Sequence, residues 1–229
     1  MARCHILPWP GTTVLDDQAQ MREDQRQYDQ VASDYTVRFY TWQQPTVSIG
    51  RFQKLSPEFQ ARLQDHGIPW VRRPTGGQAI LHYNDLTFSI VGPLQPGQQH
   101  QLLETYQHIA QGLCQGFQAL GLTVEIVRHQ EPGQTRAACY ATTSQADLRL
   151  AGHKFVGCAQ VRRRKAFLQQ GVVYLKSPEP LYQHIFQEAF TGIDMAQHLG
   201  CKDHSLPEVP EIVRRLSMHL QSHLEQVRV

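Results

Sequence analysis

The chain has 229 residues, of which 41% are hydrophobic and 18% charged, and its formal net charge is +2. This composition is typical of a globular protein with a sizeable core, and it argues against a disordered chain, a disulfide-rich miniprotein and a fibre. Its longest apolar runs have about five residues, whereas a membrane-spanning helix needs roughly 20, so we expect a single domain over residues 1–229 and no membrane partner.

The first half of the chain predicts short strands around one helix. Ser56 and Pro57 have the order of a helix cap followed by a first-turn proline, so a helix is expected to begin there and to end before Gly67. Runs rich in β-branched and aromatic residues predict strands at residues 37–42, 46–50, 70–73, 79–82 and 86–91.

The second half predicts a long helix, further strands and then helices. Apolar residues recur at three- and four-residue steps over residues 101–120, and Gly121 ends that helix. Further strands are predicted at 122–127, 147–150, 155–159 and 166–175, and amphipathic helices at 180–190 and 211–227. Strands first, a long helix in the middle and helices last indicate an α+β fold.

Two features of composition bear on function. The five cysteines are an odd number without a Cys-x-x-Cys pair, and the N-terminus lacks the apolar core of a signal peptide, so we expect reduced thiols and a cytoplasmic location. Residues 149–165 hold six bases and no acid. Such a run attracts an acidic partner or forms a solvated strand edge, and both interpretations stay open.

The first stretch that could carry chemistry runs from Arg72 to His82. Gly76 and Gly77 follow a strand, where paired glycines let backbone N–H groups approach a ligand. Arg73 supplies fixed positive charge, and His82 is polar on an otherwise apolar strand. The stretch lacks the Gly-Lys-Ser/Thr sequence of a Walker loop and the glycine spacing of a dinucleotide site.

Two further stretches contain a lysine and a cysteine. Lys154 stands between Gly152 and Gly157, where a half-buried cation could face a ligand, although a single lysine in such a place is more often solvated. Cys139 follows Arg136 in a polar stretch, and a thiol near cations has a lowered pKa. The residues themselves do not rank Cys139 above Cys158.

The three stretches together resemble a known catalytic domain. Their order is Arg-Arg-Pro-Thr-Gly-Gly-x-Ala-x-x-His, then Ala-Cys-aromatic, then Gly-x-Lys-x-x-Gly-x-Ala-Gln. This order is similar to the domain shared by lipoate–protein ligases, biotin ligases and octanoyltransferases, over about residues 37–175. The resemblance implies a mixed, mainly antiparallel central sheet flanked by helices.

Within that family, the chain most resembles the cysteine-dependent octanoyltransferase branch. Cys139, fifteen residues before Lys154, occupies the place of that branch's nucleophilic thiol. The resemblance implies transfer of an octanoyl or lipoyl group from an acyl carrier protein thioester, through a cysteine acyl-enzyme, to a target lysine. The implied acceptors are lipoyl domains of 2-oxoacid dehydrogenase acyltransferase subunits and the glycine cleavage H protein. No ATP or metal cofactor is expected for this mechanism.

The resemblance also implies roles for individual residues. Lys154 would lie beside the acyl carbonyl, lower the pKa of the thiol and stabilise the oxyanion. An apolar tunnel would hold the eight-carbon chain, and the run Arg162–Lys165 would face acidic carrier domains. The implied substrate-binding residues are Arg73, Gly76, Gly77, His82, Gly157 and Ala159.

Several alternatives remain open. Cys158 stands where the family usually has serine and could be the nucleophile instead of Cys139. An ATP-dependent lipoate or octanoate ligase would need no cysteine, but only about 54 residues follow Leu175, too few for the accessory domain common in ligases. A lipoyl-protein amidotransferase would use the same kind of cysteine. A non-catalytic acyl- or biotin-sensing module that contacts nucleic acid has no helix-turn-helix or RNA-binding motif to support it.

Overall fold

The chain forms ten strands and six helices over the residues that the structure describes, which are 2–10, 15–94, 101–127, 147–163, 165–199 and 206–226. The structure is a computed structural model. Its elements in chain order are β1 (Cys4–Ile6), α1 (Asp17–Gln30), β2 (Tyr35–Tyr40), β3 (Thr46–Ile49), α2 (Pro57–Asp65), β4 (Trp70–Arg72), β5 (Ile80–His82), β6 (Asp85–Pro93), α3 (Leu102–Ala119), β7 (Val124–Ile126), β8 (Leu148–Leu150), β9 (His153–Arg163), β10 (Ala166–Tyr174), α4 (Leu181–Phe186), α5 (Met195–His198) and α6 (Val209–Gln226).

Seven strands form the large sheet, in the order β1-β2-β6-β10-β9-β8-β7. Strands β1 and β2 are parallel, and all the other neighbours in this sheet are antiparallel. The predicted α+β class with a mixed, mainly antiparallel sheet is therefore confirmed. The predicted helix over 101–120 and the strands at 86–91 and 166–175 are confirmed with shifts of one or two residues at their ends.

Helices α3 and α6 cover one face of this sheet. The predicted apolar stripe of α6 is fully buried, with Ile212, Leu216, Leu220 and Leu224 at most 1% exposed. The helices approach closely because α3 carries glycine where they meet: a Cβ atom at Gly116 would lie 2.8 Å from Cδ2 of Leu216. These side chains and the inner face of the sheet form the main core.

Three strands form a second, smaller sheet that the sequence did not predict as a separate unit. Its order is β4-β3-β5, with β3 parallel to β4 and antiparallel to β5. Ile80 of β5 packs against Val172 and Tyr174 of β10, on the face of the large sheet opposite α3 and α6. Three of the residues that the sequence selects as functional, Arg73, His82 and Ala159, line the space between the two sheets.

Helix α1 is the largest element that hydrophobic periodicity missed, because the side chains it buries are mainly polar. Asp24 is fully buried and accepts hydrogen bonds from four side chains on the large sheet, at 2.7–2.9 Å. These donors are Arg38, Tyr40, Ser89 and Gln170. An aspartate with four donors replaces the apolar stripe that usually attaches a helix to a sheet.

Two predicted boundaries were wrong. The helix predicted over 180–190 ends at Phe186, since Gln187 adopts a left-handed conformation with φ of 59°. The strand predicted over 155–159 is longer and continues through Arg163, so Arg162 and Arg163 of the basic run belong to β9, an interior strand. Among the helices that the structure describes, none has the length and hydropathy needed to cross a bilayer.

Candidate active site

A β-bulge between β8 and β9 determines which way Lys154 points. Leu148 pairs with Val156 and Arg149 pairs with Lys154, so one step along β8 matches two steps along β9. Phe155 and Val156 therefore both enter the main core, and Lys154 takes the opposite face together with Arg149.

The bulge brings Lys154 to the same face as the glycine and alanine that follow it in the motif. A strict two-residue alternation would place Lys154 on the face opposite Gly157 and Ala159. Gly157 pairs with Val172, which contacts the small sheet, so these residues face the space between the sheets. The three motif residues of β9 thus share one face, as the functional prediction requires.

Lys154 forms a buried ion pair with Asp147. Its Nζ lies 2.9 Å from Oδ2 of Asp147, and the two side chains are 5% and 1% exposed. The other carboxylate oxygen, Oδ1, accepts a hydrogen bond of 3.3 Å from the backbone N–H of Cys158. The interpretation of Lys154 as a solvated lysine is therefore wrong. Sequence reasoning missed Asp147, which lies two residues before the base-rich window, although pairing the two strands of the hairpin would have brought it to Lys154.

The cysteines that the structure describes do not share the face of Lys154. Cys158 packs against the main core and pairs with Gly171, whose added Cβ would meet the ring of Phe88 on that side. Burial raises the pKa of Cys114 to about 11. Burial, with a smaller effect of Glu225, raises the pKa of Cys4 to about 12. Cys139 lies outside the described residues, so its predicted role stays a prediction.

Arg73 braces the Gly-Gly loop from inside the protein. Its guanidinium is buried and donates to the carbonyl oxygens of Gly76 (3.1 and 2.6 Å) and Gln78 (2.8 Å), and to that of Ser48 (3.0 Å). A loop has few hydrogen bonds of its own, so an arginine that satisfies two carbonyls of the loop and one of β3 ties the loop to that strand. In this structure Arg73 positions the loop.

Close contacts on both sides fix the position of Gly77. It has a φ of +87°, and a Cβ atom added there would lie 3.0 Å from Nη2 of Arg73 and 3.8 Å from the Cβ of Ala159. On the other side, a Cβ atom at Gly50 would lie 1.9 Å from the carbonyl oxygen of Gly77. Glycine is therefore required at Gly50, where a side chain would clash with the loop, and it is favoured at Gly77 by the positive φ.

His82 is buried in a series of hydrogen-bonded polar side chains that reaches the same loop. Its Nδ1 lies 2.9 Å from Oδ2 of Asp85, and its Nε2 lies 2.8 Å from Oγ of Ser48, which also accepts from Arg73. Trp42 stacks on the imidazole with ring centroids 4.1 Å apart. An Nδ1–H donor to Asp85 and an Nε2 acceptor for the Ser48 hydroxyl satisfy both nitrogens. Sequence reasoning found His82 but not Ser48, Asp85 or Trp42, since these partners come from different strands.

A narrow cavity between the sheets brings several predicted residues together. Arg73, His82 and Ala159 line it, and its volume of about 20 Å³ is that of a single small molecule such as water. A larger cleft of about 490 Å³ is bordered by Trp42 and His82. The predicted tunnel for an eight-carbon chain stays a prediction, because the narrow cavity is too small for it.

The structure brings together most of the predicted site. Gly77 lies close to Ala159, since a Cβ atom added at Gly77 would meet the Cβ of Ala159 at 3.8 Å. Gly76 belongs to the same braced loop, and Lys154 and Gly157 lie on the same face of β9 as Ala159. Within the described ranges, no three His, Cys, Asp or Glu side chains are grouped as metal ligands.

An α+β domain with a glycine loop against a lysine-bearing strand is the class that the fold and the site define. A solved Thermoplasma acidophilum protein with bound lipoic acid superposes with a TM-score of 0.76 at 18% identity, covering 98% of this chain and 86% of that one. A lipoate-protein ligase A bound with ATP gives a TM-score of 0.72 at 18% identity, covering 98% and 85%. These similarities show the fold.

The match to a sequence family identifies the family of the chain. The family model for the lipoyl protein ligase A/B catalytic domain matches residues 16–225. The chain therefore belongs to this family, which confirms the resemblance found in its motifs.

Curated relatives are similar over part of their length. The octanoyltransferase LipM of Carboxydothermus hydrogenoformans is 42% identical over 142 residues, 61% of this chain and 53% of that protein. The octanoyltransferase LipM of Kyrpidia tusciae is 40% identical over 157 residues, 64% of this chain and 57% of that protein. The matched region thus spans little more than half the length of these relatives.

Proposed function

We propose that this protein is an acyltransferase that moves an octanoyl group onto a lysine of lipoyl domains, by way of a thioester on Cys139. Two similar proteins are named octanoyltransferase LipM, and Cys139 lies in an Ala-Cys-aromatic sequence upstream of the Gly-x-Lys motif, as the thiol of the cysteine-dependent branch does. The observation that carries the proposal is the buried Lys154–Asp147 pair, on the strand face where Ala159 meets Gly77.

In the first step, the Cys139 thiolate attacks the carbonyl carbon of an octanoyl thioester on an acyl carrier protein. A new C–S bond forms, the C–S bond to the carrier breaks, and the carrier leaves as its thiolate, which takes up a proton. One thioester replaces another, so the exchange has little thermodynamic cost. In the second step, the neutral amine of the acceptor lysine attacks, an amide forms, its extra proton is lost, and Cys139 departs as thiolate.

Lys154 acts as a fixed cation in both steps. Negative charge develops on the acyl oxygen in each tetrahedral intermediate, and a preorganised ammonium in a buried site stabilises that charge more than one in water would. Backbone N–H groups of Gly76 and Gly77 would support the same oxygen. Asp147 is a positioning residue, since a buried ammonium needs a paired anion and good geometry to remain in place.

Choice of donor tests the proposal against its alternatives. We expect octanoyl-acyl carrier protein without ATP to label a lipoyl domain, and free octanoate to give no product even with ATP and magnesium. Product from free acid and ATP that is insensitive to Cys139→Ala would identify a ligase, which has the same fold. Product only from an octanoylated or lipoylated H protein would identify an amidotransferase.

Matched cysteine variants test the nucleophile within the same assay. Cys139→Ala should abolish transfer, whereas Cys158→Ala should retain it, because Cys158 packs against the main core on the face opposite Lys154. Retained transfer by Cys139→Ala, with loss in Cys158→Ala, would reverse the assignment.

A further inference from the structure

An arginine-lined groove of about 720 Å³ lies beside the Gly-Gly loop, between α1 and the chain that follows β3 and β4. Its wall holds six arginines and one carboxylate: Arg22, Arg26, Arg51, Arg72, Arg73, Arg163 and Asp29. The volume is in the range of small-molecule sites, roughly 300–1,000 Å³. The groove is strongly positive although the whole chain has a net charge of only +2.

The arginines of the groove are held in place to different degrees. Arg163 is paired with Asp29 and lies over the ring of Tyr28, and Arg26 is paired with Glu23 at 2.6 Å. Arg22 lies 3.8 Å from Asp16, and both side chains are largely exposed, so that pair contributes little.

Arg51 and Arg72 give the groove positive charge that no carboxylate balances. Within the part of the chain that the structure describes, no carboxylate lies at ion-pair distance from either guanidinium. Arg72 uses Nη1 to fix the turn after β3, donating at 2.8–3.1 Å to the carbonyl oxygens of Gly50, Arg51 and Gln53. The backbone N–H of Arg51 in turn bonds to the carbonyl of Thr75, so this charge is attached to the Gly-Gly loop.

The groove lies next to the narrow cavity of the candidate active site. The buried side chains of Met21 and Arg73 line both of them, and Ala159 also lines the cavity. A ligand whose anionic group lies among Arg22 and Arg51 would therefore place the rest of its length beside the loop that Arg73 braces. The ligand that fits is an extended molecule with a phosphate at one end and the reacting group at the other.

We propose that this groove binds the phosphate of a phosphopantetheine arm that carries the acyl thioester. The inference rests on the proposed function, because it names the part of the donor that the enzyme recognises. Guanidinium groups match phosphate oxygens with paired, charge-assisted hydrogen bonds, and several arginines around one concave site suit a compact dianion or diester. The same chemistry is present in an arm on a carrier protein and in coenzyme A.

Donors that differ by one phosphate test the proposal. We would compare kcat/KM for Cys139 acylation by octanoyl-phosphopantetheine and octanoyl-pantetheine, in wild type and in the double variant Arg22→Gln/Arg51→Gln. Wild type should prefer the phosphorylated donor by about 10- to 100-fold, the range of one or two charge-assisted hydrogen bonds. In the double variant this ratio should fall to near one, whereas Arg214→Gln, an exposed arginine on α6 paired with Glu211, should keep it.

Equal rates with both donors in wild type, or an unchanged ratio in the double variant, would overturn the proposal. Octanoyl-acyl carrier protein and octanoyl-coenzyme A identify the source of the phosphate. If the double variant has a lower kcat/KM than wild type with both of these donors, the groove recognises the arm alone. If the double variant instead slows only transfer from preformed acyl-enzyme to a lipoyl domain, the groove serves the acceptor and the proposal is wrong.

A binding measurement separates this inference from the proposed function. If no thioester acylates Cys139, the proposed function fails, but calorimetry with phosphopantetheine and pantetheine still tests the groove. Binding of phosphopantetheine alone, weakened about 10-fold or more in the double variant, supports the phosphate site. Equal binding of the two compounds, or no binding of either, contradicts it.

Discussion

Lys154 shows how a single inserted residue can decide the chemistry of a strand. The sequence identifies the lysine and the small residues after it, but alternation alone would place them on opposite faces. The bulge at Phe155 and Val156 shifts the alternation of the side chains by one residue, so Lys154 shares a face with Gly157 and Ala159 and lies beside Asp147. This could not be predicted from the sequence, because a bulge depends on pairing with β8 and the core position of two adjacent apolar residues.

The first prediction concerns the partner of Lys154. Asp147→Asn leaves a buried ammonium without its anion, so we expect the free energy of unfolding to fall by about 3–5 kcal/mol. Denaturant titration measures this free energy of unfolding. The double variant Asp147→Leu/Lys154→Met removes both charges and should be more stable than Asp147→Asn. If Asp147→Asn loses less than about 1 kcal/mol, the pair is not the buried interaction described here.

The second prediction concerns the glycine contact behind the loop. A methyl group at Gly50 would lie 1.9 Å from the carbonyl oxygen of Gly77, whereas one at Gly76 meets nothing within 4 Å. Gly50→Ala should therefore destabilise the fold by about 1–3 kcal/mol or more, and Gly76→Ala should stay within about 0.5 kcal/mol of wild type. Thermal and denaturant unfolding compare the stabilities of the two variants. An equal loss of stability in both would show that the loop can move away from a methyl group at Gly50, which would contradict this prediction.

At the scale of elements, the helices differ in how far sequence predicts them. Apolar periodicity gives α3 and α6 nearly to the residue, since their stripes are the buried faces. Helix α1 has no such stripe: it is attached through the buried carboxylate of Asp24 and its four donors. A polar attachment depends on side chains distant in sequence, so periodicity cannot detect it. That same helix forms one wall of the arginine-lined groove.

The third prediction concerns the packing of α3 on α6. The Nε2 of His223 lies 3.1 Å from the Nδ1 of His108, and burial, with a smaller effect of His223, lowers the pKa of His108 to about 4. Burial also lowers the pKa of His223. Below the ordinary histidine pKa of 6.5, the unfolded chain takes up a proton that the folded chain does not, so stability falls with decreasing pH until about pH 4.

The expected slope from His108 is at most roughly 1.4 kcal/mol per pH unit between those values. Unfolding titrations at pH 7 and pH 5 should show a smaller loss of stability in His108→Gln than in wild type. His219→Gln, which changes another histidine of α6, serves as the control and should follow wild type. The same pH dependence in His108→Gln and wild type would contradict the buried histidine pair.

At the scale of the whole molecule, the candidate site lies where the two sheets pack against each other. The class and the main sheet were predictable from the order of elements and from the family's motifs, and the family assignment is confirmed. The second sheet was not, because its three short strands look like extensions of one sheet until β5 packs on β10. His82, Arg73 and the Gly-Gly loop come from this small sheet and its connections, and Lys154 and Ala159 come from the large one. The proposed chemistry therefore depends on how the sheets pack.

Intact-mass analysis of the acylated protein tests the central claim most directly. After incubation with octanoyl-acyl carrier protein in the absence of ATP, wild type and Cys158→Ala should each gain the mass of one octanoyl group, and neutral hydroxylamine should remove it, as expected for a thioester. Cys139→Ala should gain nothing. A stable octanoyl adduct on Cys139→Ala, or no adduct on wild type while a lipoyl domain is still modified, would contradict a thioester on Cys139.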